Sequence, residues 1–296
     1  MRLIDFFFAL RPMVLVPAWS FVIVGYGLAR ADGATPFPSE RFCLLTLVLV
    51  ATYLINQVVD YESDRLNDKG FFLQRGIFSR RLYVVAAIAC LALALATAWV
   101  RQRSPELLLA SAFLGVAYSL PPARLVARPG IDLVANGVGY GCLALLLGAG
   151  DAWAWSAAWG ARLGAGFLAV ATVFVHTTLL DLDGDRKSGK RTLGVALGRR
   201  RARLLAMGLG LGCVASAWWS GSSLLIAACA ALAAASVGAA TTPRWLSSRT
   251  LCVGGTGLFV VVAGVYAPAF LVCIVALTFL TRLYYRRRFA LAYPSL

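Results

Sequence analysis

The chain has 296 residues, 60% of them hydrophobic and 14% charged, with a mean hydropathy of +0.78. That balance excludes a water-soluble globule and indicates a polytopic membrane protein, built from runs near the ~20 residues that cross a bilayer. The net charge of +15 does not call for a nucleic-acid partner, because Lys and Arg collect between the apolar runs in the positive-inside pattern.

Arg2, Asp5 and Arg11 flank the start, with Phe6, Phe7 and Phe8 expected at the membrane interface. A first apolar run, 13–29, is expected to be a span and not a signal peptide, since similar runs follow and no small-residue cleavage site stands behind it. After a turn at 32–36, a second span at 42–59 ends in Asn56-Gln57-Val58-Val59-Asp60-Tyr61-Glu62-Ser63-Asp64. A polar loop, 65–81, carries Lys69, Arg75, Arg80 and Arg81. The third and fourth spans, 82–100 and 107–120, follow, the fourth stopped by Pro121-Pro122. A fifth span, 131–147, is rich in glycines that let helices approach closely. Trp153, Trp155 and Trp159 suit an interfacial belt before a sixth span, which ends in Asp181-Leu182-Asp183-Gly184-Asp185 and continues to Gly189-Lys190-Arg191-Thr192. The basic run at 199–203 reads as a loop ahead of a seventh span, 204–218, and an eighth covers 222–240. The last apolar segment, 251–280, fits either one tilted helix or a hairpin broken near Pro268, giving nine or ten crossings. Alternation from the inside puts both acidic stretches on the cytoplasmic face. Seven cysteines without a CxxC pair read as small core residues, not as metal ligands or a disulfide frame.

If the helices run on, Asn56, Asp60 and Asp64 fall at i, i+4, i+8, and Asp181 and Asp185 at i, i+4, so each set lines one helix face. Glu62 and Asp183 lie about 200° round and point elsewhere. Carboxylates stacked beside lipid-length runs cost about 2.5 to 3.5 kcal/mol each at the membrane centre, so a cation belongs between them. Mg²⁺ takes oxygen ligands, keeps several waters and is usually held by one or two carboxylates plus substrate phosphates. Asn56, Asp60 and Asp64 suit one ion, and Asp181 with Asp185 a second. Such ions recruit a diphosphate, and Lys69, Arg75, Arg124, Lys187 and Arg191 are candidates for its remaining charge. A prenyl diphosphate fits, because its head needs metal and its tail needs lipid or an apolar groove.

Asn56-x3-Asp60-x3-Asp64, Tyr118-Ser119-Leu120-Pro121-Pro122-Ala123-Arg124-Leu125 and Asp181-x3-Asp185-x3-Gly189-Lys190-Arg191-Thr192, with the opening Leu10-Arg11-Pro12, together resemble the UbiA superfamily of intramembrane prenyltransferases. The resemblance runs in order over roughly residues 8–200. It implies one all-α transmembrane domain over 1–296, about nine helices around a central cavity, and Mg²⁺-dependent ionisation of a prenyl diphosphate. Asn56, Asp60, Asp64, Asp181 and Asp185 would be the metal positions, the four aspartates the catalytic ones. Arg11, Tyr118, Thr177 and Thr178 would line the prenyl and acceptor cavity. Departures fall at Gln57, where many members carry Asp, at Thr177-Thr178, where several carry Lys-Asp, at Val126, where Lys is common, and in the longer, more aromatic loop at 67–75.

The implied function is transfer of an isoprenyl group to a small lipophilic acceptor, an aromatic or quinone precursor, in the cytoplasmic membrane with the site facing the cytoplasm. Mg²⁺, Lys and Arg stabilise the leaving diphosphate as charge develops. Tyr118, Phe71, Phe72 or Phe78 would each stabilise the allylic cation by roughly 0.5 to 2 kcal/mol. An aspartate of the first stretch is a candidate for the acceptor's proton. Two rivals remain: a terpene cyclase on the same scaffold, favoured by the missing charge at Thr177 and Thr178, and, more remotely, a cation transporter. His176 reads as a packed or cavity-lining residue and not as a catalytic base, Asp132 as a helix cap and Asn136 as interhelical glue.

Overall fold

The apolar runs fold as helices, with no strand among the described residues, which in this computed structural model are 2–33, 36–66, 71–242 and 246–294. Short α1 (Arg2–Ala9) leads into α2 (Pro12–Asp32), and α3 (Ser39–Val59) continues after a one-residue break as α4 (Tyr61–Leu66). A single turn, α5 (Phe71–Gln74), precedes α6 (Arg80–Arg101) and α7 (Pro105–Ser119). The fifth crossing is composite: α8 (Ile131–Asn136), a π-helical stretch at Gly137–Leu143, and α9 (Ala144–Ala149). Then come α10 (Ala157–Leu180), its continuation α11 (Leu182–Lys187), α12 (Leu193–Trp219), α13 (Ser223–Thr241), α14 (Ser248–Tyr266) and α15 (Pro268–Phe289). Among the described residues nine stretches are long and apolar enough to cross a membrane, and α7, at 15 residues, is a shorter tenth. Val85, Ile88, Phe113, Val272 and Phe279 are exposed on the outside of the bundle, as in an integral membrane protein whose outer surface faces lipid.

Local chemistry sets the helix ends. Ser79, Ser156, Ser222 and Ser247 each accept a bond from the backbone N–H three residues on, at 3.1 to 3.3 Å, satisfying one of the orphan donors of a helix start. α7 stops just before Pro121-Pro122, as the missing donor requires. The glycine-rich fifth crossing packs backbone to backbone: a Cβ on Gly148 would lie 1.8 Å from Val22 O, and one on Gly25 2.0 Å from Leu145 O. That contact holds α9 against α2 in the middle of the core.

The last apolar segment is the hairpin. α14 starts beside His176, whose Nδ1 is 3.4 Å from Ser248 Oγ, and ends with Tyr266 against Gly27 at the opposite end of α2. Pro268, which cannot continue the ladder, opens the returning helix. α15 brings Tyr284 back to the starting end, where its hydroxyl donates to Asp5 Oδ1 at 2.5 Å. The cluster of Arg286, Arg287 and Arg288 therefore shares the end that carries both acidic stretches.

Several expectations are corrected. The basic run at 199–203 is not a loop but lies inside α12, which begins at Leu193 and carries one non-helical residue, Gly198. Phe8 is buried, stacked on Tyr284 at 4.0 Å, and so is no interfacial anchor. Trp159 is also buried, under the Arg162 guanidinium. Of the cysteines, Cys213 and Cys229 are core residues in contact, whereas Cys43 and Cys273 are exposed.

Candidate active site

Asp60 closes α3 and Asp181 closes α10, yet the backbone ladder runs on through both breaks. Asp60 N bonds to Asn56 O, Asp64 N to Asp60 O and Asp185 N to Asp181 O, each at 2.8 Å. The i, i+4 facing survives for that reason, and α4 packs against α11. Asn56, Asp60, Asp64, Asp181 and Asp185 all line one cavity of about 190 Å³. Glu62 and Asp183 point away as expected, exposed and paired with Arg65 at 3.3 Å and Arg199 at 3.1 Å.

One of the two cations that line this cavity is a residue the helical spacing did not single out. Lys190 Nζ donates to Asp60 Oδ2 at 2.8 Å, with both side chains largely buried. A turn at Gly189, φ +73°, a conformation glycine adopts freely, swings the chain so that Lys190 faces inward. Its neighbours Lys187 and Arg191 stay exposed and are not among the residues that line the cavity. Arg75 is exposed too, its guanidinium 4.0 Å from the Phe71 ring centroid. Arg124 stands at the mouth, 3.8 Å from Asp60 Oδ1. Lys69 lies outside the described residues. Arg11 lines the cavity. Its pKa is raised: burial works against the charge, while Tyr293 and the Asp64 carboxylate work for it.

A second chamber of about 350 Å³ adjoins the first, and Val14, Tyr53, Asn56, Tyr118, Phe174 and Thr177 belong to both. Its walls come from α2, α3, α7, α10 and α14 and from the fifth crossing, and include Phe21, Leu45, Leu49, Val173 and Phe259. The π-helical stretch turns Tyr140 into it, where its hydroxyl bonds that of Tyr53. Tyr118 and Thr177 border both chambers, and Thr178 the polar cavity alone. Phe71, Phe72 and Phe78 do not line either chamber; they pack in an aromatic cluster with Tyr83, Tyr284, Tyr285 and Phe289.

His176 is fully buried and belongs to neither lining. Asp132 does more than cap its helix. One carboxylate oxygen accepts from Gly130 N and Leu133 N at 2.8 Å, and the other from Leu193 N, across 61 residues, at 2.9 Å. The start of α12 is thus tied to the start of α8. The neighbouring Thr192 hydroxyl donates to Asp185 Oδ2 at 3.2 Å. Asn136 bonds within its own helix, to Asp132 O at 2.8 Å.

The oxygens that line the polar cavity belong to carboxylates, hydroxyls and one amide, with no sulfur or imidazole among the described lining residues, a hard set that suits Mg²⁺ over zinc. Among the described residues no three of His, Cys, Asp and Glu stand close enough to hold an ion by themselves. Paired carboxylates that need phosphate and water to complete the shell are the usual arrangement for Mg²⁺. The residues therefore fit such an ion when it comes with a phosphorylated ligand.

A model of the UbiA prenyltransferase family matches residues 18–250. The chain is 31% identical over 200 residues to a lycopene elongase/hydratase of Haloferax volcanii, a match spanning 61% of this chain and 60% of that relative's length. It is 28% identical over 212 residues to a digeranylgeranylglyceryl phosphate synthase of Natronomonas pharaonis, covering 67% of this chain and 71% of the relative. Among solved structures, a UbiA homologue from Archaeoglobus fulgidus bound to DMAPP and Mg²⁺ superposes with a TM-score of 0.69 at 23% identity, over 88% of this chain and 97% of that one. At that identity the likeness is one of fold.

Proposed function

The chain belongs to the UbiA prenyltransferase family, and on that premise we propose that it moves an isoprenyl group from a prenyl diphosphate to a small lipophilic acceptor, an aromatic or quinone precursor. The observation that carries this reading is the junction of the two chambers. Four aspartates of two separate stretches converge on a polar cavity that opens into an uncharged apolar one, matching a ligand with a diphosphate head and a hydrocarbon tail.

Asn56, Asp60, Asp64, Asp181 and Asp185 would hold Mg²⁺, which when bound neutralises a diphosphate and stabilises the charge it gains on leaving. Lys190, Arg11 and Arg124 bind the same head group, and their contribution grows as the C–O bond lengthens and negative charge builds. Lys190 must exchange Asp60 for a phosphate oxygen as the ligand enters. Tyr53, Tyr118, Tyr140 and Phe174 stand around the junction, and aromatic faces there stabilise an allylic cation. The chamber walls exclude water, which would otherwise give the prenyl alcohol.

The positive-inside pattern of the loops supports a site at the cytoplasmic face of the cytoplasmic membrane. A second reading, cyclisation of the prenyl diphosphate on itself, is favoured by the uncharged Thr177 and Thr178 at the junction. Cation transport finds no support in a chamber without charged walls among the described residues. Purified protein given geranylgeranyl diphosphate and Mg²⁺ should release diphosphate, and Asp60→Ala and Asp181→Ala should abolish that release. Undiminished release in both variants sinks the site assignment, and a cyclic hydrocarbon formed without acceptor sinks transfer.

A further inference from the structure

If transfer takes place at the junction, the acceptor's reacting atom must sit in the apolar chamber. None of that chamber's described lining residues is charged. Several of its neutral donors are turned toward the protein. Ser111 Oγ donates to Leu107 O at 2.7 Å, Thr52 Oγ1 to Leu49 O at 2.9 Å, Thr177 Oγ1 to Phe174 O at 2.6 Å, and Tyr53 hydroxyl to Val14 O at 3.1 Å. The amide Nδ2 of Asn136 is held by Asp132 O at 2.8 Å, and that of Asn56 by Asp60 at 3.0 Å and Ser119 at 3.2 Å. What these groups present to an occupant is oxygen lone pairs, beside aromatic faces. Lone pairs and ring faces suit a carbocation and repel an anion.

A carboxylate or phosphate entering this chamber would lose its water and find no cation among the described lining residues to offset that cost. The cations lining the adjoining cavity, Arg11 and Lys190, stand at the polar end, where the diphosphate belongs. We propose that the acceptor is an uncharged lipid that attacks through the π electrons of a carbon–carbon double bond or an electron-rich ring, and that acceptors bearing a carboxylate or phosphate are rejected. The proposal rests on the transfer reading above. In the step, the donor C1–O bond breaks and the diphosphate leaves with the electron pair. The acceptor's π pair forms the new C–C bond to C1, and the acceptor cation that results gives up a proton to the departing diphosphate.

The test uses the purified full chain in liposomes with Mg²⁺ and tritiated geranylgeranyl diphosphate. Lipids of the source cells' membranes are split by anion exchange into neutral and acidic fractions and supplied separately, with a third reaction free of cell lipid. We expect label to enter a product of the neutral fraction at least tenfold faster than one of the acidic fraction. Faster labelling of the acidic fraction overturns the proposal. So does diphosphate release that yields prenyl alcohol alone, or a labelled hydrocarbon in the lipid-free reaction. If no diphosphate is released in any reaction, the transfer reading itself has failed, and the proposal with it.

Discussion

Replacing Asp132 by asparagine should separate its two tasks. One carboxylate oxygen caps α8 through Gly130 N and Leu133 N, and the other holds Leu193 N at the start of α12. Asparagine can keep the cap with its carbonyl oxygen, but its NH₂ then faces the Leu193 N–H, donor against donor. A buried donor left without a partner costs about 1 to 3 kcal/mol, and Leu193 is buried. Alanine would lose the bonds from Gly130 N and Leu133 N as well, a further ~1 kcal/mol. Three residues before Leu193 stands Lys190, whose bond to Asp60 depends on where that segment lies. Its charge-assisted contacts are worth roughly 1.5 to 3 kcal/mol, so partial misplacement should raise KM for the prenyl diphosphate about tenfold. Thermal unfolding in detergent should rank wild type above Asp132→Asn above Asp132→Ala, and steady-state diphosphate release should show the KM rise in Asn with kcat changed less. A purely structural Asp132 would lower the unfolding temperature and leave KM within twofold; that result would refute the positioning role.

Lys190→Ala should weaken prenyl diphosphate binding by roughly ten- to a hundredfold, the loss of one charge-assisted partner, whereas Lys187→Ala, Arg191→Ala and Arg75→Ala should stay within about twofold. Equilibrium binding of a non-hydrolysable prenyl diphosphate analogue checks this, and an equal effect at Arg191 would overturn the assignment of Lys190. Because no three of His, Cys, Asp and Glu stand close enough among the described residues to hold an ion by themselves, Mg²⁺ alone should bind weakly by calorimetry, and tightly once the analogue is present. Chelation should abolish diphosphate release and lower analogue affinity in parallel; analogue affinity indifferent to EDTA would rule out a shared metal site.

The spans and the acidic faces were legible in the sequence because both follow from one helix. Apolar length fixes a crossing, and i, i+4 spacing fixes a face even across the breaks at Asp60 and Asp181, since the ladder continues. Pro268 was readable as a break, though only the packing of Tyr266 and Tyr284 at opposite ends decides that the chain turns back there. What failed was reasoning carried past a helix end. Lys190, Lys187 and Arg191 look equivalent on paper, and the turn at Gly189 selects one of them. Phe71 and Phe72 lie close to the acidic stretch in sequence but pack with Tyr284 and Tyr285, whereas Tyr53 and Tyr140, 87 residues apart, meet in the chamber. The Asp132 tether joins residues 61 apart, and no local pattern announces such a pair.

The division of charge between the chambers makes the apolar one a test of water exclusion. α3 and α10 stay uncharged along the chamber and become acidic only at its mouth, so carboxylates, Lys190 and Arg124 gather where solvent and divalent cation arrive. One or two turns inward, a cation formed at the junction meets aromatic faces in place of water. Val173 lines that inner chamber and is not among the residues that line the polar cavity. Val173→Asn would keep the size nearly unchanged while supplying an amide that can hold a water. Donor ionisation depends on the polar cavity and should proceed within about threefold of wild type. The fate of the cation should change, with the ratio of prenyl alcohol to transferred product rising severalfold, read by chromatography of the labelled lipids. A ratio equal to wild type, with the variant folded and releasing diphosphate, would mean that the cation is captured elsewhere and that this chamber is not its shelter.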